Sequence, residues 1–339
     1  MVKQLAMVAL LALSLVAATP GEHIRLTTQA DVAALRTYLR TLIFGSAPPG
    51  QPTTVERNIT DERFTSACSI DRITVVMEFG FKSTILHLHS CTPTGRLMIV
   101  HDGHNQESLT WQLPHVTQLL ANGYDVALMW MPLYGENRQI VEVCSDGCLR
   151  VRIHDQMSFV RPTTGHPLRF YLEPVMVFLN YAAPGYDRIA MLGLSGGGWT
   201  TTWAAALDER IGESYPVAGS LPLYQRGARE WGDWEQWTES IYTHVTYSEL
   251  NLLGAVGPGR MQLQVLLLDD SCCFRSGLAT NADEVSGAAE RMGGDWHMLV
   301  DNTRTLHQVS PWVMNYILGD ETRSLYAPLV FASPLYVSP

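Results

Sequence analysis

Short apolar runs alternate with helical patterns over most of this chain, and this alternation limits the fold more than any other feature. Strands are predicted at 96–100, 125–131, 188–194, 215–219, 263–268 and 296–300, and helices at 28–44, 108–121, 168–181, 197–207, 281–292 and 310–318. Two further apolar runs, 73–79 and 83–89, predict an antiparallel hairpin ahead of the alternation. This order favours one mostly parallel sheet with helices on both faces.

Two long connections interrupt the alternation. Residues 132–167 link a strand to a helix, and residues 221–259 are predicted to be a helical insertion. Long insertions on sheets of this kind commonly form caps over active sites. We therefore predict a single α/β domain over residues 19–339, with helical cap insertions near 132–167 and 221–259.

Three tryptophans stand out in the second insertion. Trp231, Trp234 and Trp237 are three residues apart, so a helix would place them roughly along one face. They suggest a wall that contacts an acyl or sugar group. The favoured alternative is that at least two of them pack the insertion onto the domain.

The first twenty residues have the pattern of an export signal. One cation, Lys3, precedes an apolar run from residue 5 to residue 18, and small residues before Thr19-Pro20 predict cleavage near Ala18. The run is shorter than the ~20 apolar residues of a membrane-spanning helix. The sequence thus predicts a secreted or periplasmic protein without stable membrane insertion.

The six cysteines predict disulfides, because an even count is typical of exported proteins. One pair brackets the predicted hairpin and a second pair flanks a three-residue turn, which leaves two adjacent cysteines to each other. The predicted pairs are Cys68–Cys91, Cys144–Cys148 and Cys272–Cys273.

Composition excludes some classes of function. Hydrophobic residues make up 46% of the chain and charged residues 17%, which describes a folded protein with a sizeable core. The formal net charge is −10, and Lys and Arg form no cluster. Nucleic acid is therefore not an expected partner, because phosphate binding needs clustered positive charge.

Residues 193–197 read Gly-Leu-Ser-Gly-Gly and fit the pattern G-x-S-x-G between a predicted strand and a predicted helix. That setting is the one in which a nucleophilic serine occupies a sharp, strained turn. Only glycines beside the serine let the strand and helix approach so closely. The pattern predicts Ser195 as a nucleophile and the Gly196 N–H as an oxyanion donor; the alternative is a glycine-rich turn that only packs a helix on a strand.

Together these features resemble the α/β-hydrolase superfamily. The resemblance covers most of the chain: the hairpin, a Gly-containing loop after the third strand, the turn at Ser195, and candidates for acid and base in the order Ser, Asp, His. The sequence Met-Pro-Leu-Tyr-Gly at 131–135 is also similar to secreted esterases and acyl-peptidases of this superfamily. The resemblance implies an α/β-hydrolase fold, with the base in the loop between the last strand and the last helix.

Two histidines lie near that loop. His297 falls inside the strand 296–300 and is expected to pack there. His307 lies beyond the strand, just before the helix that begins at Ser310-Pro311. A serine hydroxyl needs a base to take its proton, and the loop position makes His307 the predicted base.

The acid should follow the strand 263–268, where a buried carboxylate can orient the imidazole. Asp269 and Asp270 stand there side by side, and successive residues point in different directions. Asp270 is favoured because it lies further out of the strand, and Asp269 is the alternative. Asp301 is a third candidate, but six residues from the base it better fits a role within its own loop.

The second oxyanion donor is expected in the loop after the third strand, which reads His-Asp-Gly-His-Asn at 101–105. It lacks the His-Gly-Gly-Gly run of many lipases, so the backbone N–H of His104 or of Gly103 would serve. A metal bound by His101, Asp102 and His104 is disfavoured, because ligand types crowded into one loop usually pack or hydrogen-bond. We expect no metal and no cofactor.

The combined prediction is a serine hydrolase that forms an acyl-enzyme. A small-molecule or polymer-linked carboxylic ester is the expected substrate, because an alkoxide leaves with less protonation than an amine needs. A serine peptidase of the same superfamily is the first alternative. A binding protein that has this fold without activity is the second, since fold alone never proves function.

Overall fold

A computed structural model describes residues 24–104, 109–144, 147–227, 231–274 and 281–319. The predicted signal segment at 1–18 lies outside these residues. The helices of the described residues are α1 (Gln29–Phe44), α2 (Gln112–Ala121), α3 (His154–Met157), α4 (Arg169–Ala182), α5 (Gly196–Leu207), α6 (Glu239–Tyr242), α7 (Tyr247–Ala255), α8 (Ala282–Arg291) and α9 (Pro311–Leu318).

Strands among the described residues form one large sheet and one separate hairpin. They are β1 (Thr54–Glu56), β2 (Ser69–Val76), β3 (Lys82–His89), β4 (Arg96–His101), β5 (Tyr124–Met129), β6 (Val141–Cys144), β7 (Cys148–Val151), β8 (Arg188–Leu194), β9 (Glu213–Val217), β10 (Met261–Leu267) and β11 (Asp295–Asp301). The large sheet has the order β1-β2-β3-β5-β4-β8-β9-β10-β11, and β6 pairs only with β7.

Strand direction divides the large sheet into two parts. The first strands pair antiparallel, from β1 through β2 and β3 to β5. From β5 onward the pairs β5–β4, β4–β8, β8–β9, β9–β10 and β10–β11 are all parallel. The predicted mostly parallel sheet with an antiparallel lead-in is confirmed.

Two apolar layers cover the sheet, one on each face. The layer that contains Phe170 of α4 and Trp199 of α5 also takes in apolar residues of α1, α7 and α8. The opposite layer contains Leu119 of α2 and Val313 of α9. Every residue of β5 is buried, as expected for a parallel strand with helices on both sides. Each fully buried large side chain stabilises the fold by about 1.5–3 kcal/mol.

Local sequence signals set the ends of the helices. Thr28 accepts a hydrogen bond from the Asp31 N–H at 3.1 Å, and the Asp31 carboxylate accepts one from the Thr28 N–H at 2.9 Å, so α1 begins with a reciprocal cap. Helix α9 begins after Ser310, whose hydroxyl accepts from the Val313 N–H, and ends at Gly319 with φ 77°. These caps explain why the predicted ends of both helices lie within one residue of the observed ends.

Some predicted elements differ from the structure. Strand β1 was not predicted, because three residues are too few to show a periodic pattern. The insertion at 132–167 contains the hairpin β6–β7 as well as the one-turn helix α3, so it is not purely helical. His297 does not pack inside its strand: its side chain is 49% exposed and lies 2.6 Å from Asp295. It belongs to an edge strand whose residues 295–297 alternate between exposed and buried.

All three predicted disulfides are present: Cys68–Cys91, Cys144–Cys148 and Cys272–Cys273. The first joins the start of β2 to the residues after β3, and the second closes the β6–β7 hairpin. Within the described ranges, no helix combines the length and the apolar character that a membrane crossing requires.

A buried arginine ties two helices to the edge of the parallel sheet. Arg260, just before β10, donates to the carbonyl of Leu253 in α7 at 2.6 Å and to the carbonyl of Ala205 in α5. A third, longer bond reaches the Ile211 carbonyl at 3.4 Å. Burial lowers the pKa of Arg260 to about 10, so the guanidinium stays charged at neutral pH.

Replacing this arginine should destabilise the fold. Arg260→Met fills similar volume but leaves buried carbonyls without their donor, and we expect the free energy of unfolding to fall by about 3 kcal/mol. Arg72→Met, which removes an exposed ion pair to Glu56, is the matched control and should change it by less than about 0.5 kcal/mol. Urea unfolding measures both, and equal losses would contradict the assigned role of Arg260.

Candidate active site

Ser195 occupies the turn between β8 and α5 in a conformation that side chains rarely adopt. Its φ is 57° and its ψ is −122°. The Ser195 N–H donates to the carbonyl of Val217 in the next strand at 2.9 Å, and the Ser195 carbonyl accepts from the Trp199 N–H at 2.9 Å. Strain of this kind is sustained only where the surroundings fix the backbone, and it raises the serine side chain above the end of the sheet.

Glycines allow the turn to be this tight. A Cβ on Gly193 would clash with the carbonyl of Gly197, and a Cβ on Gly197 would clash with the carbonyl of His101 at the end of β4. Both contacts are with backbone atoms, which cannot move aside as a flexible side chain can. The local sequence therefore decides the geometry around Ser195.

Asp270 and His307 form a buried hydrogen-bonded pair. The Asp270 Oδ2 lies 2.7 Å from His307 Nδ1, and the Asp270 side chain is completely buried. The other oxygen, Oδ1, accepts from the backbone N–H of Cys272 at 2.7 Å and of Cys273 at 3.3 Å. These donors compensate the carboxylate for the water it has lost. The neighbouring Asp269 is exposed, so Asp270 is the acid that contacts the predicted base.

The pair leaves one ring nitrogen of His307 without a partner. A carboxylate can only accept, so His307 Nδ1 carries the shared proton and Nε2 has a free electron pair when the ring is neutral. Nε2 is buried, and the described residues offer it no hydrogen-bond partner, Ser195 included. A buried polar atom without a partner requires an explanation, and readiness to accept a proton is one.

The sheet brings these groups to one edge. Ser195 follows β8, Asp270 follows β10 and His307 follows β11, and these strands are parallel members of one sheet. The carboxyl ends of parallel strands lie at the same edge, which is where such folds bind ligands. Asp301, the third candidate acid, is itself the last residue of β11 and accepts from the N–H and hydroxyl of Thr303, as expected for a residue that orders its own loop.

The loop after β4 lies directly against the Ser195 turn. A Cβ on Gly103 would lie 2.8 Å from the Ser195 Cβ. The Gly103 N–H already donates to Asp102 Oδ1 at 2.8 Å, whereas the His104 N–H makes no hydrogen bond to another described residue. The Gly196 N–H lies in the first turn of α5, where no carbonyl of the helix can accept it.

Asp102 fixes this loop from within. Its side chain is buried, its Oδ1 accepts from the Gly103 N–H at 2.8 Å and from Trp111 Nε1 at 3.3 Å, and its backbone N–H donates to the Met129 carbonyl. Burial raises the pKa of Asp102 to about 7, although these hydrogen bonds oppose the rise. Asp102 therefore holds the loop in place from a buried position.

Four titratable side chains converge beside the Ser195 turn, and the sequence did not predict that they would. His104 contacts His154 of α3 and two carboxylates of the second insertion, Asp233 and Glu235. We call these four residues the histidine–carboxylate cluster. Burial alone would lower the pKa of His154, but the charge of Glu235 raises it to about 9. Burial favours a raised pKa for Glu235, yet the two histidines lower it.

The tryptophans of the second insertion do not share one face. Trp234 is buried, but Trp231 and Trp237 are 46% and 44% exposed. The expectation that at least two of them pack the insertion onto the domain is therefore wrong. The segment forms a short 3₁₀ turn at Trp234–Gln236 in place of a longer helix, so residues three apart do not align.

Comparison with known proteins defines the fold. No protein-family model matches the chain, and no curated protein sequence matches it. Solved structures are similar to it in three dimensions. An acetyl xylan esterase from Thermoanaerobacterium sp. has a TM-score of 0.58 at 14% identity, covering 85% of this chain and 92% of that chain.

Two further structures agree. An acetyl xylan esterase from Paenibacillus sp. has a TM-score of 0.51 at 15% identity, covering 86% of this chain and 91% of that chain. A glucuronoyl esterase from Solibacter usitatus has a TM-score of 0.53 at 13% identity, with 85% and 90% covered. At such identities the likeness concerns the fold, and the chain has the α/β-hydrolase fold.

The Asp270–His307 contact can be tested without any substrate. A proton held between an imidazole and a buried carboxylate is strongly hydrogen-bonded, so we expect a far-downfield proton resonance that disappears in His307→Gln. Asp270→Asn should remove this resonance, and Asp269→Asn should leave it in place. One-dimensional proton NMR in water makes the measurement, and loss of the resonance in Asp269→Asn alone would show that the wrong aspartate is assigned.

Proposed function

We propose that this protein is a serine hydrolase that cleaves carboxylic esters through an acyl-enzyme, with Ser195, His307 and Asp270 as its triad. The observation that carries the proposal is the buried Nε2 of His307, which has no partner among the described residues while Nδ1 is bonded to a fully buried carboxylate. This is the protonation pattern that a general base needs.

Each residue then has a defined role. Ser195 Oγ attacks the ester carbonyl while its proton passes to His307 Nε2, and Asp270 stabilises the imidazolium that forms. The tetrahedral oxyanion accepts from the N–H groups of Gly196 and His104. His307 returns the proton to the departing alkoxide. Water then attacks the acyl carbonyl while His307 takes its proton, and His307 gives that proton to Ser195 Oγ as the carboxylic acid leaves.

His104 is our choice for the second oxyanion donor in preference to Gly103. The Gly103 N–H donates to the carboxylate of Asp102, so using it would break a bond to a buried acceptor. The ring of His104 also lies over the start of α5: a Cβ on Gly196 would be 2.6 Å from His104 Nδ1. The ring of His104 is therefore held against Gly196, the residue that would supply the other donor.

Esters are the proposed substrates because an alkoxide leaves with less help from a general acid than an amine needs. The structurally similar proteins with TM-scores above 0.5 include two acetyl xylan esterases and a glucuronoyl esterase. We extend the comparison only to the reaction class, a small-molecule or polymer-linked carboxylic ester. No organic cofactor is needed for this chemistry.

We further propose that the protein is exported, to the periplasm or outside the cell. The apolar run before Ala18 has the composition of a signal segment. All six cysteines are paired in disulfides, and disulfides persist in oxidising compartments. Mass spectrometry of the mature protein would identify its first residue.

Hydrolysis of p-nitrophenyl esters of increasing acyl length tests the function. Ser195→Ala should lower kcat about 10⁶-fold, and Asp270→Asn about 10⁴-fold because the imidazole loses its orientation. Asp269→Asn is the matched control and should retain the activity of the wild type. A burst of p-nitrophenol in the first turnover would report the acyl-enzyme.

Two results would contradict the proposal. Turnover that persists in Ser195→Ala would assign the chemistry to another nucleophile. A folded wild-type protein that hydrolyses no ester of the series would exclude ester hydrolysis as the function.

A further inference from the structure

Four ligand atoms of the histidine–carboxylate cluster converge on one point. His104 Nε2 lies 3.0 Å from His154 Nδ1, 2.8 Å from Glu235 Oε1 and 3.1 Å from Asp233 Oδ2. His154 Nδ1 lies 3.2 Å from the same oxygen of Glu235 and 3.4 Å from that of Asp233. Four ligands at the corners of a tetrahedron, each about 2.0–2.1 Å from its centre, would be about 3.3 Å apart.

Hydrogen bonds alone leave the two ring nitrogens of this arrangement crowded together. His154 Nε2 lies 2.8 Å from the Pro132 carbonyl, which can only accept, so Nε2 carries a proton. If His154 is neutral, its Nδ1 is a bare electron pair that faces two carboxylate oxygens. If it is charged, its Nδ1–H and the ring nitrogen of His104, 3.0 Å away, both lie against the same oxygen of Glu235. A single cation at the centre would accept an electron pair from each of the four ligand atoms.

Partners outside the cluster orient the ligands, as they do in metal sites. The Pro132 carbonyl fixes the ring of His154, and the Tyr171 hydroxyl donates to the second oxygen of Glu235 at 3.3 Å. Metal-bound histidines usually donate their other N–H to a carbonyl, and ligating carboxylates are usually hydrogen-bonded. The side chains of His154 and Glu235 are 1% and 0% exposed, so these two ligands are held in place and shielded from water.

The other histidine groups in the described residues are accounted for without a metal. His307 lies near Cys272 and Cys273, but that pair is oxidised to a disulfide. His87 and His89 have partners of their own: His87 Nε2 contacts the Tyr186 hydroxyl at 2.7 Å, and His89 contacts two aspartates. Among the described residues, only the histidine–carboxylate cluster brings together two histidines and two carboxylates from three separate segments.

We propose that the histidine–carboxylate cluster binds one divalent transition-metal cation, with Zn²⁺ the best match. Two imidazole nitrogens and two carboxylate oxygens suit zinc, which prefers four ligands in a tetrahedron. The cation neutralises the two carboxylates and leaves both histidines uncharged. The ligands come from the loop after β4, from the first insertion and from the second insertion, so the cation fastens both insertions to the loop that lies against Ser195.

Metal content tests this proposal independently of ester hydrolysis. Untagged full-length protein is stripped with a chelator, dialysed and titrated with ZnCl₂. We expect one Zn²⁺ bound per chain and a higher melting temperature with zinc, since a ligand that binds only the folded state stabilises it. Ser195→Ala should bind zinc as the wild type does, so a failure of the proposed catalytic function would not be mistaken for a failure of this site.

Asp233→Asn is the decisive variant, because its side chain is 40% exposed and its replacement should not prevent folding. We expect its zinc affinity to fall about 100-fold or more, by comparison with the effect of altering outer partners of a metal site. Asp295→Asn is the matched control: it removes a carboxylate from an exposed pair with His297 and should leave zinc binding unchanged.

Cobalt provides a second measurement on the wild-type protein that does not depend on any variant. Co²⁺ in a tetrahedral site absorbs visible light much more strongly than hydrated Co²⁺, so one equivalent should give an intense blue spectrum that excess ZnCl₂ removes. The proposal is overturned if the stripped protein neither binds a stoichiometric Zn²⁺ nor gives this spectrum. It is equally overturned if Asp233→Asn binds zinc as tightly as the wild type.

Discussion

Backbone contact between the Ser195 turn and the end of β4 is the constraint on which the site depends. Gly197 lies against the His101 carbonyl, and Gly193 against the Gly197 carbonyl, so neither position can hold a larger residue. The contact keeps Ser195 in a conformation that costs about 1–3 kcal/mol. It also sets the loop after β4 next to the serine, so the same packing positions both the proposed nucleophile and the donors proposed for the oxyanion.

Two groups of titratable side chains are buried at this edge, the Asp270–His307 pair and the histidine–carboxylate cluster, and each must compensate for lost hydration. The Asp270 carboxylate is stabilised by two backbone N–H groups and by His307, and its pairing leaves the opposite ring nitrogen free. In the histidine–carboxylate cluster, the carboxylates and imidazoles of three segments compensate one another for lost hydration by direct contacts. The proposed role of the first group is to move a proton, and that of the second is to bind a cation.

Local signals made part of this structure predictable. The strand at 188–194 and the tight turn at Ser195 follow from residues that are neighbours in sequence, and the disulfides from cysteines that flank a predicted hairpin, flank a turn or stand side by side. Asp270 was favoured over Asp269 because it lies further out of the strand. The histidine–carboxylate cluster could not be predicted from local sequence, because His104 contacts residues 50 and 131 positions away. The spacing of the tryptophans also failed to predict their burial, because a 3₁₀ turn at Trp234–Gln236 stands where a longer helix was expected.

The central claim is that Ser195 is a nucleophile activated by His307, and covalent labelling tests it most directly. Full-length protein is incubated with a fluorophosphonate, which reacts with activated serines, and the intact mass is measured with and without Ser195→Ala. The account predicts a single adduct on the wild type, located at Ser195, and none on the variant. An unlabelled wild type, or an adduct that persists in Ser195→Ala, would contradict it.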